Sequence, residues 1–233
     1  MKQFILSLVL MVFFLSCEKK PKNTMTVSGN IAGLKKGKLF LQHIKDSALV
    51  TIDSLELRGD GNFLFSHEIQ SPELFYLYLK KADNNDINDR ITFFGEKGET
   101  TINTSWNTFD AKAKISGSKS QEKFQECSQM LSNFNTKGLE LGQALANPEI
   151  QNDSTALDSL QQLIAHNIMA RYRYVLNFAL TNNDSYVAPY IALNEAGEAN
   201  PKYLDSIVNV LAPEVSNSKY GKALKRHLSS SKQ

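Results

Sequence analysis

Residues 115–121, Ile115-Ser116-Gly117-Ser118-Lys119-Ser120-Gln121, divide the chain between two hydrophobic periodicities. Upstream, apolar residues alternate in short runs separated by glycine and asparagine. Downstream they recur every three or four residues. Ser118 with Gln121 fits a capping box, and Phe124, Cys127, Leu131 and Phe134 then follow at helical spacing. The expected fold class is therefore α+β in two parts. An antiparallel β-sandwich or barrel-like domain over residues 24–117 is followed by an all-α helical-hairpin or bundle region over residues 118–233.

Working back from the divide, Lys114 lies in a short strand over Ala113 to Ile115, and Thr100 to Thr104 reads as another. Gly95-Glu96-Lys97-Gly98 should join the latter to Ile91-Thr92-Phe93-Phe94 as a hairpin, and Arg58-Gly59-Asp60-Gly61-Asn62 carries a similar signal. The second turn delivers Phe63, Phe65 and Ile69 to a shared face, so the region is expected to run as a meander. Within Leu49 to Leu57 the apolar parity switches at Asp53-Ser54, which predicts a bulge or a change of sheet. Leu39 to Ile44 and Met25 to Gly29 complete the set.

Leu74-Phe75-Tyr76-Leu77-Tyr78-Leu79 is apolar at both parities and is the expected central strand. Phe75, Leu77 and Leu79 would face the interior. Leu74, Tyr76 and Tyr78 would form a second face that either packs beneath the helices or lines a groove for a peptide, glycan or protein partner. Downstream, Asn147-Pro148 interrupts the helical pattern. Asp153-Ser154-Thr155 with Asp158 then opens a long helix carrying Leu157, Leu160, Ile164, Ile168, Val175 and Ala179, which should pack against the first as an antiparallel hairpin. Shorter helices are expected around 187–193, 203–211 and 219–228.

The N-terminus predicts the compartment. Lys2 precedes an apolar run from Phe4 to Leu15, and Phe14-Leu15-Ser16-Cys17 resembles the lipobox of bacterial lipoprotein signals. Residues 1–17 read as the signal, with Cys17 as the lipidation site, and 18–23 as a tether. This implies a lipid-anchored protein of the cell envelope, of the outer membrane by preference, facing periplasm or cell surface. With 26 Lys+Arg against 24 Asp+Glu, the formal net charge of +2 argues against a nucleic-acid partner.

No catalytic motif emerges. Asp83-Asn84-Asn85-Asp86-Ile87-Asn88-Asp89 lacks the glycine and closing glutamate of a calcium loop, and His43, His67, His166 and His227 show no metal-ligand spacing. No cofactor or metal is expected. Cys127 falls on the apolar face of its helix and reads as a buried small hydrophobe.

Val27-Ser28-Gly29, Arg58-Gly59-Asp60-Gly61-Asn62-Phe63, Phe94-Gly95-Glu96-Lys97-Gly98-Glu99, Ile115-Ser116-Gly117-Ser118 and Tyr220-Gly221-Lys222-Ala223-Leu224, in that order, resemble Bacteroidota-type envelope lipoproteins. Their N-terminal β domain, of unknown function, usually precedes helices and a thioredoxin-like domain. The resemblance implies an association with thiol-disulfide exchange, but this sequence contains no Cys-x-x-Cys. Two functions follow as expectations. One is a non-enzymatic binding or scaffolding module; the other is an accessory of envelope thiol exchange working with a separate redox partner.

Overall fold

The computed structural model describes residues 23–81 and 89–231. The expected signal with Cys17, the expected tether up to Lys22 and the acidic stretch from Asp83 to Asn88 lie outside the described residues. The β region comprises β1 (Thr24–Ala32), β2 (Lys36–Lys45), β3 (Ala48–Arg58), β4 (Asn62–Glu68), β5 (Glu73–Lys81), β6 (Asp89–Gly95), β7 (Gly98–Ser105) and β8 (Lys114–Ser116). They form two four-stranded sheets, ordered β4-β1-β7-β8 and β3-β2-β5-β6. The inner faces meet over one core of Met25, Val27, Phe65, Leu39, Leu41, Phe75, Leu77, Phe93 and Ile102, all at most 2% exposed. It is a sandwich of two separate sheets, and the second sheet is antiparallel throughout.

Three expectations need correction. The first sheet is mixed, because β1 runs parallel to β7, with Val27 opposite Thr100. Neither glycine turn makes a hairpin: β3 and β4 belong to different sheets, as do β6 and β7. The region is therefore not a meander. Both turns are corners at which the chain passes between sheets. Their glycines answer to close packing: a Cβ on Gly61 would lie 2.2 Å from the Ile31 carbonyl oxygen, and one on Gly95 would lie 2.6 Å from the Phe75 ring. The true tight hairpin joins β2 to β3 through Asp46 (φ 49°) and Ser47 (φ 68°), a loop without glycine. The bulge does occur, with register shifting between Leu41 opposite Asp53 and Gln42 opposite Thr51.

The helices are α1 (Lys119–Leu145), α2 (Pro148–Gln151), α3 (Ser154–Thr181), α4 (Val187–Ala196), α5 (Pro201–Val210), α6 (Pro213–Ser216) and α7 (Lys219–Ser231). Ser118 caps α1 by accepting from the Gln121 amide at 3.0 Å, and Asp153 caps α3 by accepting from Thr155 and Ala156. α1 and α3 pack as an antiparallel hairpin, pairing Phe134 with Tyr174 and directing the Asn167 side-chain amide to the Phe134 carbonyl. Asn167 takes the inward position there, which leaves Ile168, expected on the packed face, 60% exposed. Among the described residues no helix is long and apolar enough to cross a membrane.

Candidate binding face

The register of the second sheet lays out its outer face row by row. Leu74 lies opposite Phe94, Tyr76 between Gln42 and Thr92, and Tyr78 between Phe40 and Arg90. Beyond them Lys38 lies between Glu56 and Lys80, and Lys36 lies opposite Arg58. Side chains alternate between faces along each strand, so these even-numbered positions on β2, β5 and β6 share one side. The face thus grades from apolar through aromatic to basic.

Helices cover the apolar end and reach the border of the Tyr76 row. Leu74 and Phe94 are buried in the helical core, where Phe94 meets Phe124, Tyr190 and Tyr220. The junction is hydrogen-bonded as well. The Leu74 amide donates to the Tyr220 hydroxyl at 3.2 Å, and the Phe94 amide donates to Gln121 Oε1 at 2.7 Å. Glu96 accepts from the Lys119 amide and, at 2.5 Å, from the Ser120 hydroxyl, and Glu73 pairs with Lys219. Burial pushes the Tyr190 hydroxyl up to about 12, and Tyr220 is raised further by the same desolvation.

The three residues expected on this face therefore divide. Leu74 is 5% exposed beneath the helices, whereas Tyr76 and Tyr78 are half-buried. The Phe40 and Tyr78 rings stack at 5.6 Å with 23° between planes. The exposed Arg90 guanidinium lies 5.7 Å from the Tyr76 ring centroid and 5.6 Å from that of Tyr78, and the Lys38 ammonium sits 5.4 Å over Phe40. Phe40, Arg90, Lys38 and Lys80 were not singled out from the sequence. Their signal was present in the alternation Lys36-x-Lys38-x-Phe40 and Tyr76-x-Tyr78-x-Lys80, but its joining into one surface required the strand register.

The other candidates are placed as follows. Cys127 is fully buried, and desolvation raises its thiol to about 11. His43 and His67, distant in sequence, come together at 6.2 Å between ring centroids at the edge between sheets. His43 Nδ1 lies 3.5 Å from Glu73 Oε1. Burial and the neighbouring His43 lower the His67 pKa. Among the described residues no group of three or more His, Cys, Asp or Glu is placed to hold a metal ion.

Fold and face define a two-sheet β-sandwich with a helical cap on one end of its second sheet. Residues 25–124 match the family model described as a domain of unknown function, DUF4369. No curated protein and no solved structure matches the chain. The matched stretch ends inside α1, three residues beyond Gln121, so it includes the first helical turn that is hydrogen-bonded to β6.

Proposed function

We propose that this protein is a lipid-anchored binding or scaffolding module of the cell envelope, held through Cys17 at the outer membrane, and that the open rows of the second sheet are its recognition surface. One observation carries this reading. Leu74, Tyr76 and Tyr78 share a face on which Leu74 is buried beneath the helices and Tyr76 lies at their border near Tyr190 and Tyr220, while Tyr76 and Tyr78 stay half-buried beside the exposed Arg90. Tyrosine and arginine are the side chains that dominate binding surfaces, because they offer contact area and polar tips together.

The resemblance to β domains that precede thioredoxin-like domains favours a second reading, as an accessory in thiol-disulfide exchange. Cys127 is poorly suited to such chemistry, since the attacking species is the thiolate and burial opposes its formation. In that reading the chain would hold a separate redox partner in place.

The test compares full-length protein and its Tyr76→Ala/Tyr78→Ala variant on glycan and peptide arrays, with thermal melts of both. Half-exposed rings should cost only a few degrees of melting temperature while array binding is lost. Unchanged binding by the variant, or a collapse of its melting temperature like that of a core truncation, rules out this surface.

A further inference from the structure

The basic rows of the same face point to the charge of its ligand. Among the described side chains of these strands, Lys36, Arg58, Lys38, Lys80 and Arg90 share the face with one carboxylate, Glu56, whose oxygen lies 3.9 Å from the Lys38 ammonium. Lys36 lies directly opposite Arg58, and Lys38 directly opposite Lys80. Like charges in directly opposed positions destabilise a sheet, and an anion held between them offsets that repulsion. Lys36, Lys38, Lys80, Lys81 and Glu56 also border one shallow cavity of about 250 Å³.

We infer that the face binds an acidic polysaccharide, with sugar rings against Phe40, Tyr76 and Tyr78 and carboxylate or sulfate groups on Lys36, Lys38, Lys80 and Arg90. This inference rests on the reading that the face is a recognition surface, and it adds the ligand class. The chemistry favours a glycan over an extended peptide. β2 and β5 lie inside their sheet with both edges hydrogen-bonded, so this part of the face offers ring planes and ammonium groups but no free backbone for strand addition. Half-buried aromatic rings offer apolar contact area to the C–H groups of a sugar, and the cations beside them add the electrostatic term.

The direction of β1 weighs against the protein's own membrane as the ligand. Its first residues lie beside Ile69 and Gly98, near the helix-covered end, while Ala32 lies at the basic end, where Trp106 donates to its carbonyl and Lys81 covers the Trp106 ring. A strand of this length spans roughly 25–30 Å, so an anchored N-terminus leaves the basic rows at the far end from the tether.

Calorimetric titration of the full-length protein in neutral micelles with a galacturonate hexamer, a neutral hexaose, a hexaglutamate peptide and vesicles containing phosphatidylglycerol tests the inference. The acidic sugar should bind at least tenfold more tightly than the other probes and weaken with added salt, since exposed charges are screened within about 10 Å at 0.1 M. Lys36→Glu/Lys80→Glu should lose that preference while melting at or slightly above the wild-type temperature, because both substitutions turn opposed like charges into opposite ones. Equal binding of both sugars, abolished by Tyr76→Ala/Tyr78→Ala, would overturn the acidic ligand and leave the recognition surface standing. Preference for peptide or vesicle would overturn the glycan. Acidic-sugar binding unaffected by either double variant would overturn both readings, as would no binding of any probe together with unchanged array binding by the tyrosine variant.

Discussion

Gln121 joins the two halves of the chain through one side chain. The sequence motif predicts that it returns to the amide of Ser118, completing a capping box. Half of the box forms, because Ser118 accepts from the Gln121 backbone amide. The Gln121 side chain turns instead to the Phe94 amide at 2.7 Å, with both residues at most 1% exposed. The physical reason is that a buried strand amide without an acceptor costs more than an unfilled position at a helix N-terminus, where water can reach. Gln121→Ala should therefore cost about 1–3 kcal/mol, the penalty of an orphaned buried donor. It should also speed hydrogen exchange at Phe94 relative to the rest of β6. A denaturant midpoint within error of wild type would show that the amide finds another partner.

Among the elements, the strands were more legible than their pairing. Alternation placed Phe63, Phe65 and Ile69 inward, and it separated the two faces of β5 correctly. Pairing is not legible where glycine marks a corner and not a hairpin. Gly61 and Gly95 are used for backbone approach at corners, and the real hairpin sits on Asp46-Ser47, which carries no such mark. The parallel contact of β1 with β7 unites residues far apart in sequence, so no local pattern reports it. In α3 the apolar pattern gave Ile168 an inward place that Asn167 takes by bonding the Phe134 carbonyl. The face was legible to the same degree: parity found Leu74, Tyr76 and Tyr78, but the cations beside them needed the register. The hairpin yields a test. Ser47 holds a left-handed conformation at φ 68°, which costs a non-glycine residue roughly 1–2 kcal/mol. Ser47→Gly relieves that strain and gives back part of it as unfolded-chain entropy, so stability should rise by about 0.5–1 kcal/mol. That corresponds to roughly 1–4 °C in a scanning melt of a chain this size. A lowered melting temperature would show that the loop is not strained.

At the scale of the molecule, both sheets and the last helix meet around Glu73. It pairs with Lys219 at the start of α7, and the Lys219 ammonium also donates to the Ile44 carbonyl at 2.6 Å. His43 from the second sheet and His67 from the first sit against this group, with Glu68 also near His67. Burial, with the nearby His43 adding to it, lowers the His67 pKa from its ordinary 6.5, while Glu73 and Glu68 oppose the shift only in part. The sign follows from linkage. A base whose folded pKa is depressed is protonated more readily in the unfolded chain, so the unfolded state binds more protons as pH falls through 6.5 toward the folded value. Folding stability should then decline over that window and flatten once both states are protonated. His67→Asn should remove much of the decline, leaving a smaller difference between melting temperatures at pH 7 and pH 5.5. Melts of wild type and variant at those pH values, at one ionic strength, provide the measurement. Parallel pH profiles for the two proteins would place the acid sensitivity elsewhere and show that His67 titrates alike in the folded and unfolded chains.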